Sequence, residues 1–122
     1  MAQPAFQTEV TSIPDLPDAG TIHLKGRVTL QEATRFRESI LSELSQSSAT
    51  KLVLQLSGVE EMDTAGAAVL AEALKAGQNR GMRVLLCSPS ESVLRIFRLA
   101  GFAEVLDQCC ADPGETRRRL LE

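Results

Sequence analysis

LVLQLSGVEEMDTAG, Leu52 to Gly66, decides the fold. Its first five residues belong to KLVLQL, residues 51–56, an apolar run of the length and composition of a buried strand. Its last residues open the small-residue run AAVLAEALKAG, in which Val69, Leu70, Ala73 and Leu74 recur at helical spacing. Between the two, SGVEEMD reads as a turn that carries the chain across the sheet edge. Three carboxylates, Glu60, Glu61 and Asp63, crowd one hydroxyl, Thr64, where the strand gives way to the helix.

Elementary helix chemistry allows two uses of that junction. A side-chain oxygen of Asp63 or Thr64 can accept from an orphan backbone N–H at the helix start, a contribution of about 1 kcal/mol. The charge of Asp63 also suits the positive helix end. With Asp63 as the cap, Thr64 falls on the first turn, where a phosphate would meet favourable backbone dipoles. It would add a charge of roughly −1.5 to −2 beside the three carboxylates. The chain tolerates that, whereas a partner matched to the unmodified surface is repelled. The residues permit such a switch without demanding it.

Working outward, FQTEVTS (6–12) alternates weakly, as an edge strand does, and PDLPDAG (14–20) supplies a turn rich in proline. TIHLKGRV (21–28) places Ile22, Leu24 and Val28 on one face, and His23, Lys25 and Arg27 on the other, a strand buried on one side. Thr29 with Glu32 has the form of a capping box, ahead of Ala33, Phe36, Ile40, Leu41 and Leu44 at helical spacing up to about Gln46. After the opening run, Gly77 and Gly81 are expected to end the helix. MRVLLC (82–87) reads as a buried strand, and the stretch from Ser88 to Phe102 as a helix capped by Ser88 or Ser90 and stopped by Gly101. AEVLD (103–107) reads as a last short strand and ETRRRLLE (115–122) as a polar helix. The order is an opening hairpin followed by alternating helices and strands. That predicts an α/β fold with a mixed, mainly parallel sheet of about five strands and about four helices, mostly on one face. The expected organisation is a single domain over 1–122, with a core at about 6–108 and a polar C-terminal helix at about 113–122.

Composition narrows the function. The 122 residues carry 43% hydrophobic and 24% charged residues and a net charge of −3, with four Phe and neither Trp nor Tyr. That balance argues against a nucleic-acid surface. No start combines positive charge with an apolar stretch, so no signal peptide is expected, and no run approaches the ~20 apolar residues of a membrane span. One histidine and three cysteines, two of them adjacent as Cys109 and Cys110, offer neither a metal spacing nor a disulfide framework. The expected setting is therefore cytoplasmic. Cys87 ends a strand before a helix, as a phosphatase nucleophile does, but Val93 stands where that chemistry needs arginine. No phosphate loop with its lysine is present either. No catalytic residue, cofactor or metal is expected.

The same stretches carry a family resemblance. LKGRVTLQEATRFRESI resembles the second strand, glycine and first helix of STAS domains, the fold of bacterial anti-sigma-factor antagonists. LVLQLSGVEEMDTAG resembles the family's apolar strand, turn and Asp-Ser/Thr-x-Gly, and GMRVLLCSPSESVLRIFRLAGFAEVL resembles its next strand, helix and closing segment. The resemblance covers about residues 6–108. It implies that Thr64 is a phosphoacceptor for an anti-sigma factor that is itself a serine/threonine kinase. Asp63 and Gly66 flank the acceptor, and phosphorylation releases the antagonist from its partner. Partner contacts are inferred at Glu60, Glu61 and Met62 and on the exposed face of the following helix, including Ala67. Neither direct nucleic-acid binding nor membrane insertion is implied, and weak homodimerisation stays open. The run Gly26, Arg27, Val28, Thr29 departs from the Gly-x-Leu-Asp of many kinase-regulated antagonists. Thr64 stands where many have Ser, and Ala67 where a larger aliphatic residue is frequent. Related domains with Thr at this position serve as subunits of stress-signalling assemblies or lipid-transporting ABC systems, a second expectation. A nucleotide-binding module is a third.

Overall fold

A computed structural model describes residues 6–122; the first five residues, at the start of the expected domain and of the stretch read for a leader, lie outside it. The elements run β1 (Phe6–Ile13), β2 (Leu16–Val28), α1 (Ala33–Gln46), β3 (Lys51–Met62), α2 (Thr64–Asn79) and β4 (Arg83–Cys87). α3 (Glu91–Ala100), α4 (Ala103–Asp107), β5 (Cys109–Cys110) and α5 (Pro113–Leu120) follow. The strands lie side by side in sequence order. β1 is antiparallel to β2, and every later pair is parallel. This is the mainly parallel sheet that the alternation of elements requires.

Strand alternation assigns the two faces. Ile22 and Leu24 of β2, Leu52, Leu54 and Leu56 of β3, and Val84 and Leu86 of β4 join one core with Phe36, Ile40 and Leu44 of α1, Leu70 and Leu74 of α2, Phe97 of α3 and Val105 of α4. The opposite face is covered in part. Val53, Leu85, Cys87 and Cys110 form a smaller cluster closed by Leu120 of α5. Towards β1 that face turns polar, and His23 accepts or donates a hydrogen bond of 2.9 Å with the Thr11 hydroxyl across the hairpin.

Several local expectations are corrected. AEVLD is helical, not a strand. After Gly101 (φ 74°) ends α3, the N–H groups of Val105 and Leu106 donate to Phe102 O at 3.1 Å, and one more turn brings Val105 into the core. A five-residue run with three apolar side chains carries too little periodicity to separate the two states. The last strand is Cys109–Cys110 instead. The expected turn SGVEEMD is strand as far as Met62, because two bulges insert extra residues while pairing with β2 continues. β2 likewise starts early, at Leu16, so the turn shrinks to Pro14 and Asp15. Gly77 does not end α2. It lies inside the helix, where a Cβ would come 2.4 Å from Val84 Cγ2, so its role is close packing on β4. Of the two serines, Ser90 caps α3 by accepting from Val93 N at 3.2 Å, and Ser88 takes a left-handed conformation at φ 57°.

Candidate functional site

The second half of β3 outruns the sheet. Within β3, only Lys51–Gln55 pair with β4, while Gly58–Met62 pair with β2 alone. The chain then enters α2 at Thr64, with Asp63 at the cap position. Asp63 uses both carboxylate oxygens. Oδ1 accepts from Gly66 N at 3.1 Å, and Oδ2 accepts from Leu30 N, in the loop between β2 and α1, at 2.9 Å. One carboxylate therefore caps α2 and ties the neighbouring loop to it. Gly66 fits because the helix start lies directly on the end of β2. A Cβ there would stand 1.9 Å from Val28 O and 3.2 Å from Met62 Cγ.

With capping done by Asp63, the Thr64 side chain is left exposed on the first turn. Ala68, Glu72 and Lys75 continue an exposed stripe along α2. Glu72 is held by Arg37 of α1 through Nε to Oε2 at 2.7 Å and Nη2 to Oε1 at 2.6 Å. That pairing keeps the Glu72 carboxyl below its usual range and raises the arginine. Glu60 and Glu61 are both exposed. The second bulge falls between Gly26↔Val59 and Arg27↔Glu61, which leaves Glu60 as the extra residue.

Two of the residues inferred as partner contacts do not reach the surface. Ala67 is 0% exposed and Met62 8%, both packed in the main core. One step along a helix turns a side chain by about 100°, so Ala67 faces inward where Thr64 and Ala68 face out. The exposed face expected for this helix thus exists but does not include Ala67.

The loop after β2 also differs from a capping box. α1 begins at Ala33 with no side-chain cap, and the Thr29 hydroxyl donates to the Glu32 carboxylate. That hydrogen bond holds the buried Glu32 carboxyl below its usual range against its burial, and Arg27 adds to it from 3.9 Å. The arrangement leaves Leu30 73% exposed beside Asp63. Sequence reasoning missed this residue. Its one signal was an isolated leucine among polar neighbours, three residues before Ala33, where it passes for part of the helix stripe.

Residues 9–116 match the STAS domain, so the chain belongs to the STAS domain family. The fold has solved relatives. A putative anti-sigma factor antagonist from Thermotoga maritima superposes with a TM-score of 0.78 at 22% identity, over 94% of this chain and 95% of that one. The anti-sigma factor antagonist SpoIIAA in its unphosphorylated form gives 0.69 at 20% identity, over 95% and 96%. Moorella thermoacetica RsbS, in a serine-to-glutamate variant, gives 0.73 at 17% identity, over 93% and 94%. At these identities the likeness establishes the fold. Among the described residues, no helix is long and apolar enough to cross a membrane.

Proposed function

We propose that the chain is an anti-sigma-factor antagonist that binds an anti-sigma kinase, and that phosphorylation of Thr64 ends the complex. The observation that carries this reading is the division of labour at the start of α2. Asp63 satisfies the helix end and the adjoining loop with its two oxygens, and Thr64 keeps its hydroxyl exposed one residue on. A phosphoryl group there adds a charge of roughly −1.5 to −2 among Glu60, Glu61 and Asp63. A partner surface matched to a neutral hydroxyl then faces like-charge repulsion and an uncompensated desolvation cost. Among the fold's relatives, SpoIIAA is described as an anti-sigma factor antagonist and is solved in phosphorylated as well as unphosphorylated form. The partner-facing surface is formed by Glu60, Glu61, Thr64 and Ala68. The chain itself supplies no catalytic step.

The test is incubation with the anti-sigma kinase encoded nearest its gene, with ATP, followed by peptide mass mapping and a binding titration. The expected result is one phosphoryl group on Thr64, and loss of kinase affinity of about tenfold or more, equivalent to ~1.4 kcal/mol, in the phosphorylated chain and in Thr64→Glu. Absence of phosphate on Thr64, with equal binding by wild type and Thr64→Glu, sinks the switch.

A further inference from the structure

The three cysteines are free thiols, and the sheet divides them. Cys109 lies on the face of the main core, where its sulfur donates to Val105 O at 3.3 Å. Cys87 and Cys110 lie on the opposite face, in the small cluster with Val53, Leu85 and Leu120. They are register partners on the parallel strands β4 and β5. Neighbouring strands run ~4.8 Å apart, inside the ~4.4–6.8 Å between Cα atoms that a disulfide spans. Bringing the Cβ atoms to the ~3.8 Å of a disulfide asks a shift of about 1 Å from β5, a two-residue edge strand.

We propose that Cys87 and Cys110 form a reversible intramolecular disulfide when the folded chain meets a small-molecule disulfide. In the first step the Cys87 thiolate attacks one sulfur of the oxidant and displaces the other as a thiolate, leaving a mixed disulfide on Cys87. The Cys110 thiolate then attacks the Cys87 sulfur and displaces the second small thiol. The protein loses two electrons and two protons, and the oxidant is reduced to two thiols.

The cleft beside Cys87 and the helix over Cys110 control access. Cys87 lines a cleft of about 320 Å³ between the β1–β2 hairpin and α5, together with Leu16, His23, Gln55 and Leu120. Cys87 and Cys110 are each 1% exposed, so a small oxidant meets the pair only when α5 lifts, and Cys87 then lies on the floor of the opened cleft. Cys110 is covered by α5, whose Arg119 places Nη1 3.6 Å from the Cys110 sulfur. α5 is a short terminal helix latched to the hairpin turn by the Arg117–Asp15 ion pair, with one bond of 2.9 Å. Buried Leu120 and the Arg119 bonds to Cys109 O and Asp107 O hold α5 as well, so its opening is the infrequent local event that admits both steps. Cys109 makes a poor competitor. It faces the other side of the sheet, and burial pushes its thiol up to about 12, so it stays protonated near neutral pH.

The experiment equilibrates the folded protein with oxidised and reduced glutathione at graded ratios, quenches with acid, alkylates and maps peptides. Free thiols are expected to fall from three to one, with a Cys87–Cys110 link, Cys109 still alkylated, and full reversal by dithiothreitol. Cys110→Ser, or Cys110→Ala if serine unfolds the chain, is expected to stop at the mixed disulfide on Cys87. Arg117→Ala, which removes one of the tethers of α5, is expected to speed link formation about two- to fivefold without changing which residues are joined. A link to Cys109 or between two chains overturns the proposal. So does survival of all three thiols in the folded protein under ratios that oxidise it in urea.

Discussion

A Cβ on Gly66 would stand 1.9 Å from the carbonyl oxygen of Val28, so the first turn of α2 rests on the end of β2 with no room for a methyl group. Backbone cannot give way as a side chain does. Gly66→Ala is therefore expected to lift the helix start and to destabilise the chain by roughly 1–3 kcal/mol, the usual range for over-packing. Urea unfolding measures this, and a midpoint unchanged from wild type would show that the approach is not constraining.

Asp63 is expected to act on two elements at once. Asp63→Ala removes the cap of α2 and the acceptor for Leu30 N, at a cost of about 1–2 kcal/mol. Asp63→Asn keeps a single acceptor oxygen and so retains one of the two bonds. Amide hydrogen exchange separates them: Leu30 and Gly66 both exchange faster in the alanine variant, and only one of the two does in the asparagine variant.

The inward turn of Ala67 has a direct consequence for mutagenesis. Ala67→Leu forces extra volume into the packed core and is expected to cost roughly 1–3 kcal/mol, while Ala68→Leu stays within ~0.5 kcal/mol of wild type. On the proposed partner surface the order reverses, and Ala68→Leu disturbs kinase binding in a protein of normal stability. Thermal unfolding beside a binding titration reads both effects.

Stability is expected to fall at both ends of the pH range. The Glu32 carboxyl is lowered, chiefly by the Thr29 hydroxyl, so its contribution is present above its usual value of 4.5 and is lost as pH falls below it. The Cys109 thiol is raised to about 12, chiefly by burial, so its contribution is whole below its usual 9.0 and is lost as pH rises towards 12. Urea midpoints followed from pH 8 upward are expected to decline in wild type and to decline less in Cys109→Ala. Equal slopes would remove Cys109 as the cause.

Much of the sheet was legible because its strands are buried and regular. KLVLQL and MRVLLC could be little else between helical stretches, and Asp63 was one of the two caps that the residues at the start of α2 offered. What escaped the sequence was set by pairing partners far along the chain. SGVEEM looks like a turn until β2 is beside it, and its bulges hide the alternation that marks a strand. AEVLD is too short for either period to declare itself, and its helical state depends on Phe102 O being free to accept. At the site, Met62 was misplaced because the bulge at Glu60 shifts the alternation of β3, and Ala67 because of the seating of α2. Which side of α2 faces outward is fixed by the seat of Gly66 on Val28, a contact between residues nearly forty positions apart.

The bulge at Glu60 separates two kinds of constraint. Because the extra residue absorbs one step of alternation, Glu60 and Glu61 both point to water between the buried Val59 and Met62. Their identity is then free of the packing that governs the buried positions of β3. Charge can therefore be exchanged at these two positions, altering the face offered to the proposed partner, at little expense to the stability of the fold.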